Sequence, residues 1–346
     1  MAEKQPKLQI EQIVKDVLAT IEKEREREIV ARRYGLFDRK ETLEQIGELL
    51  GITRERVRQL EKAIVTRLKA QAEQGNIPHI PEVETSIIAV LSSTGHVARV
   101  SKITAAISPE DNKLSQARVA FLSALAPKIV VVDENDFYYQ SVAEASKFRD
   151  NKAVTKRVDG VVKAIKELGK PSTIAVLSDA MNGANPAGTE ALASASKLLA
   201  SLNGDWGLTK WPTVNPKNIR DKIYVILKEN GSQMHFSEIA SKIKESDFKR
   251  KDVTTQAIHN ELIKDDRFVL VGRGIYALKE WGFKKGTVSD VITDVLKKAG
   301  EPLHRDEIVK RVLKNRYVKE TTILLNLQGK KQFVRVAKAT YSLSED

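Results

Sequence analysis

Arg54, Glu55, Arg58, Gln59 and Lys62 recur at spacings of one, three and four residues, which gathers them on one side of a helix. Each type can address the edge of a base pair. Arginine pairs in bidentate fashion with guanine, glutamine with adenine, and glutamate accepts from the cytosine amino group, each good pair giving about 1–3 kcal/mol of discrimination. Lys62, a point charge without a planar fork, suits a phosphate. The same residues would also make a solvated face laced with Glu/Arg pairs, so the elements that hold them decide the reading.

Val57, Leu60, Ile64 and Leu68 fall on the opposite side of that helix and give it an apolar stripe. A second helix precedes it. Thr42 followed three residues later by Gln45 is a capping-box pattern, and Leu43, Ile46, Leu49 and Leu50 are expected to form the buried face of the helix it opens. Gly51 can take the left-handed conformation that ends this helix, and Thr53 can cap the next one, leaving a three-residue turn. Gly47 sits mid-helix, where it costs about 1 kcal/mol relative to alanine, so its expected use is close approach of the two crossing helices. Two helices around such a turn form a helix-turn-helix, whose second helix enters a major groove.

These residues carry a resemblance. The run Glu24 to Phe37, the helix from Thr42 to Gly51 and the segment Thr53 to Glu61 resemble region 4 of the sigma-seventy type sigma factors of bacterial RNA polymerase. The resemblance implies recognition of a promoter −35 element in double-stranded DNA, with Arg54, Glu55, Arg58 and Gln59 at the reading positions. It also implies docking on the flap of the polymerase β subunit through the helices around Ile29, Tyr34, Leu36 and Phe37, residues that serve equally well as simple core. Sigma factors carry region 4 behind an aromatic-rich region that melts the −10 element. Here the segment lies at the start of the sequence, so the expectation is a chain that does not open promoters alone.

The chain has 346 residues and a formal charge of +12, from 58 Lys and Arg against 46 Asp and Glu. That balance suits a polyanionic partner. Zero cysteines exclude disulfides, thiol catalysis and cysteine-ligated metal. No apolar run approaches the roughly 18 residues of a membrane span, and Met1 to Lys7 is polar, so neither an anchor nor a signal peptide is expected. The expected location is the bacterial cytoplasm, at the nucleoid.

Beyond residue 78 an internal repeat emerges. Leu227 to Ile239 matches Leu296 to Ile308, and Phe268 to Leu278 matches Phe333 to Leu343 without a gap. Each repeat reads as helix, short extended link, two helices and a hairpin. The first helix ends at a glycine, His235 or His304 opens the second, and the third begins near Thr254 or Thr321. The hairpin turns around Gly272-Arg273-Gly274 or Ala337-Lys338-Ala339. That order is a winged helix. Fainter copies use Leu91 to Gly95 with a hairpin over Val130 to Tyr139, and Ile165 to Gly169 with an end at Trp206 to Trp211. The expected fold is therefore mainly α with small β-hairpins: a helix-turn-helix domain over 1–78, then winged-helix-like modules over 79–147, 148–214, 215–283 and 284–346.

From Ile219 to Gly282, with His235, Ile239, Tyr276 and Trp281-Gly282 as landmarks, the third module resembles the HARE-type winged helix. That family includes the amino-terminal domain of the delta subunit of Gram-positive RNA polymerase and modules fused to restriction enzymes and chromatin regulators. Delta's acidic tail has no counterpart here, so its nucleic-acid displacement is not implied. Thr255, Gln256, His259, Asn260 and Lys264 on the third helix, with Arg273 at the hairpin tip, are the candidate DNA contacts of this module. A protein-docking face would use the same positions.

His235 and His304, at equivalent positions opening a helix, read as capping or packing residues rather than metal ligands. Trp206, Trp211 and Trp281 read as packing anchors, and Asp265-Asp266 as turn residues. GxxxxGK[ST], HExxH, GxSxG and GxGxxG are all absent, so no enzyme, cofactor, metal or small-molecule substrate is expected. The sequence thus favours a bacterial transcription regulator that reads −35-like DNA, docks on RNA polymerase, or both. The alternatives are a sequence-tolerant DNA-binding or nucleoid protein, in phage or restriction biology for example, and a protein scaffold built of winged helices.

Overall fold

A computed structural model describes residues 7–248, 252–283 and 286–344. The chain divides into two compact units, Met1–Lys210 and Trp211–Asp346.

The first unit opens with α1 (Ile10–Ala19), α2 (Glu24–Tyr34), α3 (Leu43–Leu50) and α4 (Arg54–Glu73). Two repeats follow. The first comprises α5 (Ile80–Ser93), β1 (Val97–Arg99), α6 (Val100–Ile107), α7 (Lys113–Leu125), β2 (Ile129–Val132) and β3 (Ser141–Glu144). The second comprises α8 (Asn151–Leu168), β4 (Ser172–Thr173), α9 (Ile174–Ala180), α10 (Pro186–Ala195), β5 (Leu199–Leu202) and β6 (Asp205–Leu208). In the second unit come α11 (Ile219–Asn230), β7 (Met234–His235), α12 (Phe236–Glu245), α13 (Thr255–Lys264), β8 (Phe268–Gly272) and β9 (Ile275–Leu278). A 3₁₀ turn leads on to α14 (Val288–Ala299), β10 (Leu303–His304), α15 (Arg305–Leu313), α16 (Glu320–Gly329), β11 (Phe333–Ala337) and β12 (Thr340–Leu343).

All four repeats run helix, strand, helix, helix, strand, strand, and each forms a three-stranded antiparallel sheet ordered first, third, second. The protein is mainly helical with small sheets, as winged-helix-like modules require. The last two repeats match down to an irregularity: the register slips between Leu270 and Gly272, and again between Arg335 and Ala337. The left-handed residue of the tip is Gly274 in one and Ala339 in the other. Hairpin β5–β6 closes with Asn203-Gly204, both at positive φ, which is the two-residue turn that matches strand twist.

The first repeat departs from the sequence expectation at its hairpin. The return strand is Ser141–Glu144, whereas Phe137 to Tyr139 lie in the tip and pair with the second repeat. Tyr139 N–H donates to the Ala195 carbonyl at 2.9 Å and Lys197 N–H to that of Phe137 at 2.7 Å. The segment alternates as a strand does, but its partner lies far along the chain. Gly95 marks another close approach: a Cβ there would lie 2.4 Å from the Ala187 carbonyl oxygen. Helix α16 begins at Glu320, next to the expected Thr321, with Lys319 as its N-cap.

One apolar cluster runs from Leu8 in the approach to α1 through Val30, Leu36, Ile64 and Leu68 to Phe121 and Val142 in the first repeat. Residue 78 therefore marks a change in sequence character inside a shared core, with Ile77 and Ile80 both buried. Helix α1 buries Ile10, Ile13, Val14, Val17 and Leu18, each contributing about 1.5–3 kcal/mol on burial. Arg118 of α7 ties the parts together: Nε donates to the Leu36 carbonyl at 2.8 Å and Nη1 meets Glu11 Oε2 at 2.9 Å.

Candidate nucleic-acid interface

Thr42 and Gln45 form the reciprocal capping box at the start of α3: the threonine hydroxyl accepts from Gln45 N–H, and Gln45 Oε1 from Thr42 N–H at 2.9 Å. Gly51 ends α3 at φ 65°, and the Thr53 hydroxyl caps α4 by accepting from Arg56 N–H at 3.2 Å. The turn is short because both helices are capped by residues only two apart.

Gly47 serves closeness of a different kind from that expected. A Cβ there would lie 2.6 Å from the Ile52 carbonyl oxygen, so the glycine admits the backbone of the turn rather than the crossing helix. Leu49 departs too. It is 54% exposed, since the small core of Ile29, Ile46 and Val57 is completed by Leu43, Leu50, Ile52 and Leu60 without it. Arg25 braces the same end of α3 by donating to the Leu50 carbonyl at 2.7 Å.

On α4 the two faces are as the periodicity predicts. Val57, Ile64 and Leu68 are buried, while Arg54, Glu55, Arg58, Gln59 and Lys62 are all exposed. Four of the five are engaged in pairs. Arg58 grips Glu55 with a fork, Nε to Oε2 at 2.8 Å and Nη2 to Oε1 at 2.7 Å, and Gln59 Nε2 reaches Glu55 Oε1 at 3.4 Å. Arg54 Nη1 meets Glu44 Oε1 at 2.8 Å. The hydrogen bonds from Arg58 hold the Glu55 carboxyl below its ordinary range, and Glu55 in turn raises the Arg58 guanidinium. Glu55 thus keeps its acceptor character and orients the arginine and glutamine beside it. Lys62 makes no ion pair among the described residues. Arg56, also exposed on this helix, and Glu44 were missed from sequence; Glu44 faces α4 only because the turn brings α3 alongside.

Of the apolar residues implicated in polymerase docking, Ile29 and Leu36 are buried and Tyr34 is half-buried. Ile29 lies in the core beneath α3 and α4, Leu36 in the larger cluster, and the Tyr34 ring packs 5.1 Å from that of Phe121. Burial pushes the Tyr34 phenol up to about 12, with Glu61 adding to the rise. Phe37 alone of the four stays open, 45% exposed, with the Arg118 guanidinium 5.8 Å from its ring centre.

The helix-turn-helix has known counterparts. Residues 23–70 match the family sigma-70, region 4. The RNA polymerase sigma factor SigA1 of Synechococcus elongatus is 48% identical over 54 residues, 15% of this chain and 13% of that protein. The sigma factor SigA of a Bacillus species is 44% identical over 57 residues, 16% and 15% of the two chains. Sigma factor sigB of Arabidopsis thaliana is 39% identical over 54 residues, 15% and 9%. The chain spans less than a sixth of the length of these relatives, and most of its own length lies outside the match.

In the third repeat, Thr255, Gln256, Asn260 and Lys264 of α13 and Arg273 at the β8–β9 tip are exposed. Gln256 and Asn260, one turn apart, are joined by a hydrogen bond of 3.0 Å. His259 is half-buried in an aromatic row, with Phe236 at 4.9 Å and Tyr276 at 6.1 Å between ring centres. His235 and His304 cap α12 and α15 by accepting from the amides two residues on. Asp265 accepts from the Arg267 backbone and guanidinium, which hold its carboxyl below the usual range. Among the described residues no group of three acidic or histidine side chains could hold a metal ion, and no helix is long and apolar enough to cross a membrane.

Proposed function

We propose that the chain is a bacterial DNA-binding transcription regulator that lays α4 in the major groove of a −35-like element. What carries this reading is a single observation: a base-reading set, Arg54, Glu55, Arg58 and Gln59, stays exposed on the second helix of a capped helix-turn-helix whose sequence matches sigma-70, region 4. The four repeats act as further docking platforms. In the third, which resembles a HARE-type module, Thr255, Gln256, Asn260, Lys264 and Arg273 face adjacent DNA or a protein, and His259 positions α13 from within its aromatic row. The protein works at the nucleoid, without a small-molecule substrate.

Footprinting on promoter and random duplexes tests the reading. Protection confined to a −35-like hexamer supports it; uniform protection favours a sequence-tolerant nucleoid protein. Gln59→Ala should relax preference at one base pair by about 1–3 kcal/mol, whereas Lys62→Ala should weaken all sequences alike.

RNA polymerase is the second partner, favoured by the match to sigma factors. With Ile29 and Leu36 buried and Tyr34 half-buried, Phe37 is the most exposed residue of that group and makes the contact. Copurification of polymerase with wild type but not with Phe37→Ala supports docking there; equal recovery removes it.

A further inference from the structure

In a winged helix the third helix normally faces the duplex. In the first unit neither third helix suits that task. Helix α7 is largely buried, and its Arg118 is committed to Leu36 and Glu11. Helix α10 contains no lysine or arginine and one acid, Glu190. A row of exposed cations lies instead on α8, the first helix of the second repeat, whereas α6 and α7 carry one exposed lysine each, Lys102 and Lys113.

Helix α8 buries Val154, Val158, Val161, Val162 and Ile165 on one side. At 100° per residue, Lys152, Lys156, Lys163 and Lys166 fall on the other within an arc of about 80°, along roughly 21 Å of axis. All four are exposed. The two acids of the helix offset this charge only in part: the exposed Asp159 falls within the same arc, and Glu167 pairs with Lys163. Asp159 accepts from the Tyr138 hydroxyl at 2.7 Å, and Glu167 lies 3.7 Å from Lys163. Lys152, Lys156 and Lys166 have no ion pair among the described residues.

The repeats supply their own control against the reading that exposed helices simply carry lysines for solvation. The equivalent helix α5 has no cation and two acids, Glu82 and Glu84. Helix α11 carries three cations against two acids, and α14 two against two. Helix α8 carries five cations, the four lysines and Arg157, against two acids, and is the longest of the set at 18 residues. The net charge of this fold position is −2 in α5, +1 in α11, 0 in α14 and +3 in α8, so the excess is greatest in the second repeat.

We propose that the lysine face of α8 is a second, sequence-independent contact for the phosphate backbone of duplex DNA. A duplex carries one negative charge per roughly 1.7 Å of axis, so a lysine row of this length meets several phosphates at once and releases their counterions. The proposal rests on the DNA-binding reading above, yet fails separately from it.

The test is fluorescence anisotropy of the full chain with short random-sequence and −35-like duplexes between roughly 50 and 200 mM salt, comparing wild type with Lys152→Gln/Lys156→Gln/Lys163→Gln/Lys166→Gln. Each phosphate contact contributes about 0.9 to the salt slope, so the variant's slope should fall by about 3.6, and its affinity loss across that range should shrink about a hundredfold. Both duplexes should weaken by the same factor. The four-arginine variant should keep the slope, and unchanged circular dichroism guards against unfolding. A slope unchanged by the glutamine substitutions overturns the proposal. So does an equal drop in Lys297→Gln/Lys298→Gln/Lys310→Gln/Lys314→Gln, which would make it net charge alone. Wild-type binding to phosphatidylserine vesicles but to neither duplex also overturns it. If Gln59→Ala relaxes base preference while the α8 variant keeps its slope, only the α8 contact fails. If the slope falls but no −35-like preference exists, only the promoter reading fails.

Discussion

Replacing Arg118 with methionine removes the guanidinium that joins α7 to the helix-turn-helix while keeping most of the aliphatic volume. Arg118 is 5% exposed, and its Nε is a donor to the carbonyl of Leu36, a fully buried residue. Leaving that carbonyl unpaired costs about 1–3 kcal/mol. The Glu11 pair adds little, because that carboxylate is half-exposed and rehydrates. In a unit of this size each kcal/mol shifts Tm by about 2–4 °C, so Arg118→Met should melt roughly 2–12 °C lower. Arg118→Lys, with charge but no fork, should fall between. Scanning calorimetry of the full chain reads the shift, and anisotropy well below Tm should find the base preference of α4 unaltered. An unchanged Tm, or separate melting of α1–α4 from the first repeat in wild type, would refute the claim that one core spans both.

Gly47→Ala sets a helix-propensity gain of about 1 kcal/mol against a Cβ placed 2.6 Å from the Ile52 carbonyl oxygen. Because the obstacle is backbone, the turn must move, and urea denaturation should show a net loss of about 1–3 kcal/mol; a gain would sink the argument. Glu55→Ala should relax preference at one base pair by about 1–3 kcal/mol while freeing Arg58, so affinity for random duplex should rise; an intact preference by competition binding counts against base reading. The Tyr34 phenol, raised to about 12 from an ordinary 10.0, favours the fold in its neutral form. Its contribution is complete below pH 10 and is lost as pH climbs towards 12, about 3 kcal/mol in all. Denaturation at rising pH should show that loss in wild type and not in Tyr34→Phe.

Much of the candidate interface was legible because its signals are local. The Thr42 capping box, the Gly51 stop, the Thr53 cap and the two faces of α4 each depend on residues within a few positions of one another. The paired repeats over Leu227 to Leu278 and Leu296 to Leu343 were legible for the same reason, down to the tips at Arg273 and Lys338. Pattern reading failed where partners are distant. Phe137 to Tyr139 alternate like a strand of their own hairpin but pair with the second repeat, and Leu49 has helical periodicity yet no neighbour to cover it. The α8 lysines stand out only once the repeat is aligned in space, since charge runs are common in a chain with 30% charged residues.

What the residues alone determined is the helix-turn-helix: caps, glycines and a 3.6-residue period are written into short segments, where backbone sterics and local hydrogen bonds suffice. What only tertiary structure decided is which apolar side chains remain available. Leu36 is consumed, and Tyr34 half-covered, by a core that Phe121 and Arg118, more than 80 residues along the chain, complete. Burial is a property of the packed whole, so a segment that resembles a docking surface in isolation becomes, in this chain, the floor on which the next module sits.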